Sequence, residues 1–177
     1  MAVIVQMILT FLNRRIPKSF RVYWRAYGGL PALRRSPYPY LAAILTVMLH
    51  GLWLPLTEDG QRDWAGLALA ILPSMVSFSL GAMAIVFAMT SGEYVKLLHK
   101  NGADDSMFMQ LVAVFFHFVL LQILTIFFAL AVEAYDTLLL SCLGFWLFSY
   151  SLLAGLAAAG NLILVADIKN RAAPLDE

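Results

Sequence analysis

Residues 107–132 read MFMQLVAVFFHFVLLQILTIFFALAV, 26 residues without one charged side chain. A helix of that length rises about 39 Å at 1.5 Å per residue, more than the ~30 Å of hydrocarbon in a bilayer. Three further runs, 39–56, 64–90 and 137–166, are similarly apolar and contain no Lys or Arg. Hydrophobic residues make up 62% of the 177 and charged residues 13%, against about a quarter charged in an average soluble domain. The pattern predicts an all-α, polytopic membrane protein with four transmembrane helices arranged as a four-helix bundle. What lies outside the runs is too short for a second globular domain, so residues 1–177 are expected to form one unit.

The formal charge of +1 hides a strong separation. Eleven of the twelve basic residues fall in three segments: Arg14 to Arg35 before the first run, Lys96 and Lys100 between the second and third, and Lys169 and Arg171 after the fourth. The intervening links, 57–63 and 133–136, carry Glu58, Asp59, Asp63, Glu133 and Asp136. Cytoplasmic loops concentrate Lys and Arg. Both termini, the 91–106 loop and the 167–177 tail are therefore expected inside, with the acidic links outside. Small size and compact loops suggest a bacterial inner membrane.

Met1 to Leu12 is apolar, but Arg14 and Arg15 follow it rather than precede it, and no small-residue cleavage pattern appears, so cleavage as a signal peptide is not expected. In the basic segment 1–38, Ser19 is a candidate N-cap. Phe20, Tyr23, Trp24 and Tyr27 then recur at i, i+3, i+4 and i+7, ending at Gly28-Gly29. This predicts an amphipathic interfacial helix with its aromatics at headgroup level, and with Arg14, Arg15, Arg21, Trp24 and Arg25 contacting lipid headgroups. Trp53 and Trp64 mark the outer interface, and Tyr38, Tyr40 and Tyr94 the inner one. Asp63, Asp104-Asp105-Ser106 and Asp136-Thr137 supply N-caps for the later runs.

Helices associate in lipid through close packing and hydrogen bonds rather than through burial from water. Small residues therefore mark packing faces: Gly66, Ala70, Ser74, Ser77, Gly81, Ala84 and Ala88 on the second run, and Ser151, Gly155 and Ala159 on the fourth, with Ala154 and Ala158 alongside. Pro73 predicts a kink, with Ser74 or Ser77 helping to satisfy the freed carbonyl. His50 and His117 each lie about 15 Å into an outward-running span. With Ser77, Gln110 and Ser151 they define a candidate midplane polar, pore-lining level, since an ionisable group inside a membrane is a functional candidate by default. Two histidines are too few for a zinc site, and the single Cys142 cannot form an intrachain disulfide.

No pattern suggests an enzyme, a cofactor, a metal or nucleic acid. Lipids, further copies of the chain, and a cytoplasmic or membrane protein are the expected partners. Three function classes remain: a homo-oligomeric channel or pore, a non-conducting accessory subunit such as an immunity or defence component, and a small proton-coupled transporter using His50 and His117. Four helices alone would pack a core without a water column, so conduction would need several copies around an axis.

Overall fold

The computed structural model describes residues 17–56, 62–89, 106–135 and 137–172. All regular secondary structure among them is α-helix: α1 Lys18–Tyr27, α2 Gly29–Arg35, α3 Tyr38–Met48, α4 His50–Trp53, α5 Asp63–Met89, α6 Met107–Tyr135 and α7 Leu138–Ala172. Three of them, α5, α6 and α7, are long and apolar enough to cross a membrane. Their starts match the second, third and fourth apolar runs to within one residue, because in lipid a backbone must satisfy its own hydrogen bonds and an uninterrupted apolar stretch has only the helix available. Ser106 caps α6 as expected, its Oγ accepting the Met109 N–H at 3.3 Å. Residues 1–16, which hold Arg14 and Arg15, and the loop residues 90–105 lie outside the described part.

The first run departs from expectation. It is expected as one span over 39–56, but α3 has 11 residues, Leu49 leaves helical geometry at φ −96° and ψ 27°, and α4 adds a single turn. The Thr46 carbonyl, which an unbroken helix would offer to the His50 N–H, instead accepts the Trp53 indole N–H at 2.8 Å. Beyond this break, Arg62 Nη1 donates to the Trp53 and Leu54 carbonyls, both at 2.7 Å. These are carbonyls a helix end leaves unpaired, and a cation suits the negative pole of the helix.

α6 lies between α5 and α7, while α3 packs on the other side of α7. The core is stacked in two tiers. One joins Ala65, Ala68 and Leu72 at the start of α5 to Ala129 and Val132 at the end of α6 and Phe145 and Phe148 early in α7, with Trp53 beside them. The other joins Leu111, Phe115 and Phe118 early in α6 to Ala154 and Ala158 late in α7 and Ala42 in α3. Successive long helices therefore run antiparallel, and α3–α4 passes from the second tier to the first. The bundle is open on one side: between α3–α4 and α5, across α7, lies an apolar groove of about 730 Å³ floored by Phe145, Phe148 and Leu153.

The two small-residue faces behave differently. On α7, a Cβ at Gly144 would stand 2.5 Å from the Trp64 ring, and one at Gly155 would stand 2.7 Å from Phe118, so both glycines seat aromatic rings of neighbouring helices. Ser151 is fully buried on the same face, but Ala159, expected to continue it, is exposed; Ala158 takes the inward position. On α5, Gly66, Ala70, Ser74, Ser77, Gly81, Ala84 and Ala88 are all exposed, and nothing lies within 4 Å of a Cβ built at Gly66 or Gly81. The spanning window of α5 is 17% buried, against 44% for α6 and for α7. Pro73 sits inside α5. The Ser77 hydroxyl donates to the carbonyl of Pro73 itself at 3.1 Å, not to the Leu69 carbonyl that the proline frees.

Gly144→Leu is expected to destabilise the fold by about 1–3 kcal/mol through overpacking against Trp64, whereas Gly66→Leu should leave the single chain unchanged. Unfolding midpoints of the two variants in detergent provide the comparison.

Candidate functional site

The N-terminal helix α1 starts at Lys18 on Pro17 without a side-chain cap, so Ser19, one residue inside the helix, is not the cap expected of it. It ends at Gly28, whose φ of 90° is open to glycine without the usual Cβ penalty and lets its N–H bond back to the Arg25 and Trp24 carbonyls. Part of its aromatic face packs on α6. Tyr23 and Ala26 are buried, packing with Ala113 of α6, and Trp24 and Tyr27 are half-buried beside them. Arg21 and Arg25 remain on the outer side, where they share a shallow hollow with Phe20 and Trp24. An amphipathic helix needs an apolar surface to cover its apolar stripe, and α6 supplies one.

The centre of this contact is His117. The Tyr23 hydroxyl lies 2.7 Å from its Nδ1, and the Tyr150 hydroxyl of α7 lies 2.8 Å from its Nε2. The Tyr27 ring stacks on the imidazole with centroids 4.4 Å apart. Three side chains from three helices thus form one hydrogen-bonded chain, Tyr23, His117, Tyr150, with the Tyr27 ring laid over its centre. Burial pushes the Tyr23 and Tyr27 phenols above their ordinary value, which keeps both hydroxyls protonated and able to donate. A cleft of about 360 Å³ opens beside them, lined by Tyr27, His117, Tyr150, Ser36, Tyr38 and Asn161 on its polar walls.

Within one chain, the residues of the expected midplane level do not converge on one site. His50 is exposed at the start of α4, with its Nδ1 3.2 Å from the Val47 carbonyl, while His117 is enclosed among tyrosines. Ser77 faces outward on α5, and Gln110 is exposed near the start of α6, lining a hollow with Arg25 and Tyr27. Ser151 is buried and donates to the Phe148 carbonyl at 2.8 Å. A separate interior pair joins Ser79 and Gln122, both buried. The Ser79 hydroxyl, with one proton, donates to the Met75 carbonyl at 2.6 Å and lies 3.4 Å from Gln122 Oε1, while Gln122 Nε2 has no acceptor. Exchanging the amide nitrogen and oxygen removes this conflict, because Nε2 then donates to Ser79 Oγ. Among the described residues, no three His, Cys, Asp or Glu side chains converge on a point that could hold a metal ion.

Three features escaped the sequence pattern. Tyr23 and Tyr27 carried an aromatic period without indicating what they face, and Tyr150 sat in an apolar run as one polar atom on a large ring. Arg62, alone among acidic neighbours, is buried as the cap of α4. Ser141 links the Trp64 indole, which donates to its Oγ at 2.9 Å, to the Trp53 carbonyl, which it reaches at 2.8 Å. No protein family model, curated protein or solved structure matches the chain.

His117→Ala removes the centre of the α1 contact and about 1 kcal/mol for each of two hydrogen bonds. Tryptic cleavage after Arg21 and Arg25 should then run several-fold faster than in the unaltered protein, with the long helices still intact by circular dichroism.

Proposed function

We propose that the chain works as a self-associating integral membrane protein, with α5 at the contact between copies. The observation that carries this reading is the open face of α5: seven small side chains in line, unpartnered within the chain, on the least enclosed of the three long helices. Small-residue faces let helix backbones approach in lipid, where packing replaces burial from water as the driving force. A fourth crossing by α3–α4 is part of the proposal. Its 16 residues rise about 24 Å, and Ala42 and Trp53 pack in opposite tiers. Arg21, Arg25, Arg34 and Arg35 belong to the end that also holds the start of α6 and the last turns of α7. The positive-inside rule then puts both termini in the cytoplasm, in a bacterial inner membrane.

Conduction is the further step. The interior of one chain is filled at both tiers, so a pore would have to run between copies. Close approach of two α5 helices closes the axis between them. A water-filled path therefore needs three or more copies, with Ser74 and Ser77 turned to the axis. A second reading, a non-conducting accessory subunit, draws on the apolar groove of about 730 Å³ between α3–α4 and α5, which has room for a helix of a protein partner. A carrier using His50 and His117 together is not supported by their separate surroundings.

Native mass in detergent and ion flux in liposomes separate these readings. Gly66→Leu combined with Gly81→Leu should shift the protein toward the monomer by tenfold or more in dissociation constant, and should abolish any flux. A protein that is monomeric before substitution would reject self-association, and a dimer without flux would favour the accessory role.

A further inference from the structure

The hydrogen-bonded chain Tyr23, His117, Tyr150 has two links and three protons to place in them: one on each hydroxyl and one on the neutral imidazole. One proton is therefore left over, and it sits at one end. If the chain points toward Tyr23, the surplus donor is a hydroxyl on a residue only 6% exposed, and an unmatched buried donor is costly. If it points the other way, the surplus donor is the Tyr150 hydroxyl, on a residue that lines the cleft together with Tyr27. The second arrangement is the favourable one. It fixes the imidazole as the Nε2–H tautomer, which accepts from Tyr23 and donates to Tyr150.

The cleft receiving that donor has a definite chemistry. Its lining contains no Asp, Glu, Lys or Arg, so an ion would enter without a countercharge. Ser36 and Tyr38 add two hydroxyls from the α2–α3 junction, while Ala154, Ala157 and Gly160 of α7 form a low wall on the apolar side. Leu156 on that side is 67% exposed, so the cleft opens toward the lipid-facing surface. Its volume of about 360 Å³ falls in the range of small-molecule sites, about 300–1,000 Å³.

We propose that this cleft binds an uncharged, lipid-soluble molecule that places a carbonyl oxygen against the Tyr150 and Tyr27 hydroxyls. A carbonyl oxygen has two lone pairs and no proton, so it accepts the surplus donor and can take a second hydrogen bond from Tyr27. The apolar remainder of the molecule leaves over Ala157 and Gly160 into the hydrocarbon. Two sources share this chemistry: a ring ketone of a membrane quinone, and an ester carbonyl of a neutral glycerolipid.

The test titrates the full-length protein in detergent with a short-chain benzoquinone in one arm and dioctanoylglycerol in the other, reading the thermal unfolding midpoint. A saturable rise in one arm is expected and identifies the source. Gly160→Leu, where an added Cβ meets no atom within 4 Å, should keep the probe-free midpoint and abolish the rise by filling the cleft. Tyr27→Phe keeps the ring on His117 and should weaken binding about tenfold. No saturable rise in either arm, a rise that Gly160→Leu leaves intact, or equal affinity in Tyr27→Phe would overturn the assignment.

Discussion

Close contact between aromatic rings and glycine backbone holds the long helices together. Trp64 of α5 lies against Gly144 of α7, and Phe118 of α6 lies against Gly155 of α7. In a membrane, leaving lipid for a neighbouring helix gains little hydrophobic energy, so what remains is the density of van der Waals contact and the hydrogen bonds it brings into reach. A flat ring laid on a glycine backbone makes many such contacts at once. The hydrogen bonds follow from it: with Trp64 seated on Gly144, its indole reaches Ser141, and Ser141 in turn reaches the end of α4.

The two ends of the bundle are secured by different chemistry. At the α4–α5 end, the Arg62 guanidinium and the Ser141 hydroxyl close the carbonyls that the short helix leaves open. At the α1 end, neutral groups do the work: an imidazole between two phenols, covered by a third ring. Neutral partners suit this setting, since an unpaired charge among apolar helices would be expensive. α1 is joined to the bundle through its contact with α6.

α5 stands apart from this economy. It contributes Trp64, Ala65, Ala68 and Leu72 to the core near its start, yet its line of small residues looks away from the rest of the chain. The contrast with Gly144 and Gly155 of α7, on which rings are seated, separates a face packed within the chain from one the chain leaves open. On that contrast rests the proposal that copies of the chain meet.

The amino-acid sequence alone determined where the long helices begin and that they suit lipid, because both depend on the local run of apolar side chains. It also marked Gly28 as a helix stop and Ser106 as a cap, each a property of a few neighbouring residues. Only the tertiary structure decided which face of each helix turns inward. In α5, α6 and α7 every side is apolar enough for lipid, so hydropathy carries no inside and outside, and a stripe of small residues looks alike whether a ring sits on it or nothing does. The break at Leu49, the burial of Arg62 and the enclosure of His117 by Tyr23, Tyr27 and Tyr150 arise for the same reason: each depends on a partner distant in sequence, brought close only when the helices pack.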